Sequence, residues 1–173
     1  MQWPNPPQMT IEQGKPYQAT IRTSLGDVIV QLFPEDAPLT VNNFVFLSGQ
    51  GFYDGVKFHR IVKGFVIQSG DPTGTSSGGP GYRFDDEKVS RDYIAGTMAM
   101  ANAGPDTNGS QFFITLTDLS NRLPKNYTIF GLVTSGLDFV EKIGDVQVTQ
   151  SPGGELSSPT TDVNINGVVI EAK

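Results

Sequence analysis

Residues 19–33 read ATIRTSLGDVIVQLF. Val28, Val30 and Leu32 alternate with Ile29 and Gln31, the two-residue period of a strand whose faces meet different surroundings. Ser24-Leu25-Gly26-Asp27 interrupts the run with turn residues, so the stretch reads as two short antiparallel strands. Downstream, Asp36-Ala37-Pro38 predicts a helix start: an acidic cap, an early proline, then apolar Val41, Phe44 and Val45 at helical spacing until Gly49 stops it. Further strands are expected at 56–62, 66–68, 96–101, 111–116 and 128–133, with a last one near 163–170. A second helix is expected from Ser135, with Asp138 completing a capping box and Leu137, Val140 and Ile143 on its buried side ahead of Gly144. Residues 70–81 form a glycine-rich loop, and the Ser- and Pro-rich residues 151–161 read as an exposed loop. Many strands with only two helices disfavour a parallel doubly wound sheet and favour an antiparallel sheet or barrel covered by the helices.

The 173 residues suit one domain, read as residues 17–173 behind a proline-rich extension at 1–16. A chain of this length buries roughly 70% of its extended surface and folds without a disulfide or a metal. The 20 glycines and 12 prolines imply many turns, yet stay below the roughly 25–30% share that marks disordered chains. A net charge of −6 disfavours nucleic acid and anionic membranes as partners, since both are bound through basic surfaces. The chain has no cysteine, which removes disulfides, Cys-zinc sites and thiol nucleophiles. His59 is the single histidine, which removes most histidine-based metal sites, so neither metal nor cofactor is expected. No apolar run approaches the length of a membrane-spanning helix. Residues 1–16 lack the basic start and apolar centre of a signal peptide. The sequence leaves the location open between cytoplasmic and, where a signal has been removed ahead of residue 1, secreted or lipid-anchored.

Some motifs mislead. Gly74-Thr75-Ser76-Ser77-Gly78 matches the G-x-S-x-G esterase pattern, but that pattern needs a helix directly after its serine. Here Gly79-Pro80-Gly81 follows instead. Gly74 and Gly79 have P-loop spacing without the lysine. Asn108-Gly109-Ser110 and Asn126-Tyr127-Thr128 match glycosylation acceptors at a frequency expected by chance.

Four segments carry more. Ala37 to Phe44 reads APLTVNNF, Phe58 to Asp71 reads FHRIVKGFVIQSGD, Met98 to Ile114 reads MAMANAGPDTNGSQFFI, and Tyr127 to Gly131 reads YTIFG. Together they resemble a cyclophilin-type peptidyl-prolyl cis-trans isomerase over about residues 19–147. The resemblance implies a mainly β fold, a closed eight-stranded antiparallel barrel capped by two α-helices, with a peptide groove on the outside of the barrel. It implies rotation about X-Pro bonds in proline-containing peptides and unfolded protein clients, with no covalent intermediate and no cofactor.

The residues suit that chemistry. Rotation about an X-Pro amide meets a barrier of about 18–20 kcal/mol because the C–N bond is partly double. No bond to the protein is needed. What is needed is a pocket for the ring, a clamp on the chain and a donor at the prolyl nitrogen, which regains its lone pair as the amide twists. Arg60 is the expected donor, although an arginine in an acidic chain is ordinarily a surface ion pair. If Lys63-Gly64-Phe65 is a three-residue hairpin loop, Arg60 pairs with Gln68 on one face; a two-residue turn would put them on opposite faces. Arg60, Gln68 and Phe65 are the expected catalytic residues. Gln111 and Phe113 share a face two residues apart, with Phe112 and Ile114 facing inward. Phe65, Phe113 and Leu123, with Met100 or Ala101, are the expected proline pocket. Gln68, Gln111 and the Asn102 backbone would hold the peptide, with His59 and Tyr127 beside them. Asn102 is equally a turn residue in Asn102-Ala103-Gly104-Pro105.

One stretch departs from the family. Many members carry Trp-Leu, then a His ahead of the next strand; here Arg122 stands at the tryptophan's place and Tyr127 at the histidine's, with Leu123 retained. The resemblance then implies weak cyclosporin binding at most. The acidic surface favours a monomer. The competing reading is a non-catalytic proline-segment binding module or holding chaperone, which needs the pocket but no donor.

Overall fold

In the computed structural model, which describes residues 1–173, the opening pair is β1 (Tyr17–Thr23) and β2 (Gly26–Leu32). They pair antiparallel with Ala19 opposite Val30 and Ile21 opposite Val28, so the alternation of residues 19–33 puts one face of both strands into the core. The chain continues through α1 (Pro38–Gly49), β3 (Arg60–Val62), β4 (Val66–Ser69), β5 (Thr97–Met100) and β6 (Phe112–Thr115). It ends with β7 (Ile129–Ser135), α2 (Leu137–Gly144), β8 (Val148–Gln150), β9 (Leu156–Pro159) and β10 (Ile165–Ala172). Eight strands form one antiparallel sheet in the order β10-β1-β2-β7-β5-β6-β4-β3, while β8 and β9 pair separately. The expected mainly β, eight-stranded antiparallel architecture with two helices is borne out.

Closure is less complete than expected. The sheet's end strands, β10 and β3, share no ladder. The segment before β3 meets the start of β10 and the residues ahead of it instead: Gly55 N–H donates to Ile165 O at 2.7 Å, Ile165 N–H to Val56 O at 2.8 Å and Phe58 N–H to Val163 O at 2.9 Å. The strand expected over 56–62 accordingly starts only at Arg60, and its first half serves as this seam.

Alternation sorts the side chains into two apolar clusters. Ile61, Ile67, Met98, Phe112 and Ile114 face inward and join Val28, Val30, Phe44 and Phe130 in the main core. Val66, Ala99, Phe113, Ile129 and Phe33 lie on the sheet's other face in a second, smaller cluster. The second cluster is the feature that positions the site.

Three local expectations change. The N-terminus of α1 is capped by Glu87, whose carboxylate accepts from the N–H groups of Leu39 and Thr40 and from the Thr40 hydroxyl; Asp36 pairs with Arg91 instead. Helix α2 starts from Gly136, in the left-handed region at φ 85°, with no side-chain cap, because Ser135 is still paired to Ile29 in the sheet. Residues 151–161 are not only loop: they carry β9 and the turn joining it to β8, and β9 packs beside β3.

Residues 1–16 fold back onto the domain. Trp3 packs against Phe46 and Phe52, its N–H donates to Pro80 O, and the Gln2 amide donates to Gly79 O. The buried Asn42 of α1 accepts from the Thr10 and Ile11 N–H groups and donates to Gln8 O.

Candidate active site

The site begins with a turn. Val62 pairs with Val66, so Lys63-Gly64-Phe65 is the three-residue loop, closed by Phe65 N–H to Val62 O at 3.0 Å. Gly64 takes φ 69°, the left-handed position such loops assign to glycine. The register that follows puts Arg60 opposite Gln68. Gln68 is opposite Phe113, Phe113 opposite Ala99, and Ala99 opposite Ile129. Directly opposed residues project to the same side, so one row runs across five strands: a cation, an amide, an aromatic ring and two apolar side chains.

A groove of about 1060 Å³ lies over the Arg60, Gln68 and Phe113 end of that row. Phe113 forms its floor, 5% exposed, and Tyr127 packs against it edge to face at 5.5 Å. Phe65, Ala101 and Leu123 complete the apolar wall, and the Arg122 guanidinium lies over the Phe65 ring at 5.6 Å.

The polar side is a directed relay. Arg60 Nη1 donates to Gln68 Oε1 at 3.0 Å, and Gln68 Nε2 donates to Gln111 Oε1 at 3.1 Å. Gln111 Nε2 then donates to the carbonyls of Ser76 and Gly78. Each amide accepts from one neighbour and donates to the next, so each orientation fixes the following one. Both N–H bonds of Gln111 are thereby engaged by the glycine-rich loop. That loop is organised by Asp71, which accepts from the N–H groups of Thr73, Thr75 and Gly78 and from the Thr73 hydroxyl. Burial opposes ionisation of Asp71, but the hydrogen bonds from Thr73 and Gly78 outweigh it and hold the carboxyl below the usual range.

The Asn102 side chain has a turn role: its amide donates to Asn126 O and its carbonyl accepts from Gly104 N–H. Its backbone N–H and C=O make no hydrogen bond within the protein. The loop after Ser76 contains no helix, which excludes the esterase geometry.

Two expected residues lie elsewhere. Met100 pairs with the inward-facing Phe112 and is 1% exposed in the main core; parity leaves Ala101 as the groove residue of that pair. His59 precedes Arg60 and is not part of the groove lining. Its two ring nitrogens are buried without a hydrogen-bond partner, and burial lowers its pKa although Asp71 pulls the other way. One residue was missed. Glu155, in the β8–β9 turn, accepts from Arg60 Nε at 2.9 Å and from Nη2 at 2.9 Å. It lies 95 positions from Arg60, and no local periodicity links the two.

Residues 18–170 match the model of the cyclophilin type peptidyl-prolyl cis-trans isomerase family. The chain is 47% identical over 158 residues to peptidyl-prolyl cis-trans isomerase CYP18-2 of Arabidopsis thaliana, covering 87% of this chain and 96% of that one. It is 48% identical over 136 residues to the isomerase ppi1 of Schizosaccharomyces pombe, covering 76% and 87%. A Cryptosporidium parvum cyclophilin-type isomerase superposes with a TM-score of 0.80 at 36% identity, covering 91% of this chain and 99% of that one. The same protein has been solved in the presence of the dipeptide Ala-Pro, again with a TM-score of 0.80. With the family model spanning most of the chain, and relatives this similar matched over nearly their whole length, the chain belongs to the cyclophilin-type peptidyl-prolyl cis-trans isomerases.

Proposed function

We propose that this isomerase accelerates X-Pro rotation by setting one fixed guanidinium above an apolar floor. The proline ring lies on Phe113 between Phe65, Ala101 and Leu123, and the main chain of Asn102 clamps the peptide through its unpaired N–H and C=O. As the amide twists, its nitrogen loses resonance and gains a lone pair; Arg60 donates to it there and to nothing comparable in the planar state. Binding the twisted form better than the flat one is what lowers the barrier. Gln68 and Gln111 orient that donor instead of holding the peptide, since their amides are already committed to the relay.

The observation that supports this reading most is the shared row: Arg60 and Phe113 flank Gln68 on one face, two strand spacings or roughly 9–10 Å apart at the backbone, so a peptide of about three extended residues spans the two. The substrates are proline-containing peptides and exposed X-Pro bonds of unfolded chains, handled by a monomer. Cyclosporin binds weakly, because Arg122 over Phe65 replaces the indole found in many members; a titration giving nanomolar affinity would contradict this.

Cis-to-trans exchange of a short X-Pro peptide, followed by NMR for the parent and for Arg60→Ala, tests the central claim. A charge-assisted hydrogen bond of about 1.5–3 kcal/mol corresponds to a loss of roughly tenfold to 150-fold in kcat. A variant as fast as the parent, and still binding peptide, would remove Arg60 from the transition state.

A further inference from the structure

The β8–β9 hairpin lies outside the eight-stranded sheet, and its turn delivers a carboxylate to the groove's only relay. Ser151 N–H donates to Glu155 O at 2.7 Å and Gly154 N–H to Ser151 O at 2.9 Å, closing a tight turn with Glu155 at its end. We propose that Glu155 is a positioning residue for the isomerisation: it fixes the Arg60 guanidinium in the orientation that donates to the prolyl nitrogen. The inference rests on the reading of Arg60 as that donor.

A guanidinium carries five N–H bonds in one plane. Glu155 takes two along the Nε–Nη2 edge, and Gln68 takes one from Nη1. Contacts on two sides of a rigid plane stop it from rotating or sliding, and they leave one N–H undonated on each terminal nitrogen. An arginine held only by Gln68 would pivot about that single contact, losing the alignment on which the stabilisation depends.

The ordinary alternative is a surface ion pair. The Arg60 and Glu155 side chains are 31% and 45% exposed, and pairs this open contribute little to stability. The bidentate geometry therefore has more effect on direction than on folding. Hydrogen bonds from Arg60 and Ser157 hold the Glu155 carboxyl down at about 2, so the clamp stays ionised wherever the enzyme is folded and assayed.

The test compares the parent with Glu155→Ala, Glu155→Gln, Arg60→Ala and the double variant Arg60→Ala/Glu155→Ala, measuring kcat and KM on one X-Pro peptide and following the Arg60 Nε–H resonance. Glu155→Ala is expected to lower kcat about fivefold to twentyfold with KM within about twofold, at or below the low end of what losing the Arg60 bond itself costs. Glu155→Gln, which retains an acceptor without the charge, is expected to fall between. The Arg60 Nε–H signal should shift and broaden in Glu155→Ala, while Tm falls by no more than a few degrees. The double variant should be no slower than Arg60→Ala alone, because Glu155 acts only through Arg60. If Arg60→Ala is slow but Glu155→Ala keeps the parent's kcat, the positioning role is refuted and the donor stands. A double variant slower than Arg60→Ala by the full Glu155→Ala factor refutes it too, by placing the effect elsewhere. If Arg60→Ala is itself as fast as the parent, the donor reading fails and Glu155 has nothing to position.

Discussion

His59 stands next to the proposed donor in the chain, yet it takes no part in the groove lining. Burial lowers its pKa from the ordinary 6.5, so it is neutral across the neutral range, and a guanidinium keeps its charge there. Turnover is therefore expected to be flat between about pH 6.5 and 8. A pH–rate profile with a step on the acid side of the ordinary histidine value would place His59 in the mechanism. Folding stability behaves differently. A base whose folded pKa is depressed contributes fully above its unfolded value, and that contribution is lost as pH falls below about 6.5. Asp71, whose carboxyl the Thr73 and Gly78 hydrogen bonds hold below its ordinary 3.8, adds a second loss as pH falls below about that value. At this scale much of the site was legible. Period-two alternation and a three-residue turn put Arg60 and Gln68 on one face, and the Gln111–Phe113 spacing marked the other side of the groove. Where two residues in sequence were offered together, as with Met100 and Ala101, only the pairing partner across the sheet decides which faces out.

Helix α1 shows why element boundaries were harder to read than elements. Pro38 and Gly49 bound it as expected, but its cap arrives from position 87, because Ala37 has no side-chain acceptor to offer. The Glu87 carboxylate satisfies two orphan N–H groups and lies at the positive end of the helix. Glu87→Ala is expected to cost about 1–2 kcal/mol, lowering Tm by about 3–6 °C, with kcat near the parent's; calorimetry beside an isomerase assay checks both. Gly70 is a similar long-range constraint. At φ +96°, its missing side chain leaves room for the Ser110 carbonyl, which an added Cβ would meet at 2.3 Å. The β8–β9 hairpin was unreadable for a different reason. Residues 151–161 hold one large apolar residue, Leu156, and two prolines, so Pro152-Gly153-Gly154 marks a turn but no strand period flanks it to mark a hairpin. Its pairing and its placement beside β3 are tertiary outcomes.

Across the whole molecule, antiparallel pairing and helix number followed from the order of periodic segments, and the family resemblance supplied the eight strands of the main sheet and how they wrap. The unfinished join between β10 and β3 followed from neither, since it depends on accumulated twist. Backbone amides at this join are held by three hydrogen bonds on one side only, whereas β1 is paired on both sides along its length. Native-state hydrogen exchange is expected to be faster at Gly55 and Phe58 than at Ala19 and Ile21; equal protection would mean the join is as firm as the ladders. The molecule is thus less a hoop than a bracelet with a clasp, and Arg60 begins the strand fastened just beyond it. Any change that lets the clasp slip, even one buried on the far side of the groove, would loosen the footing of the one side chain whose aim matters most.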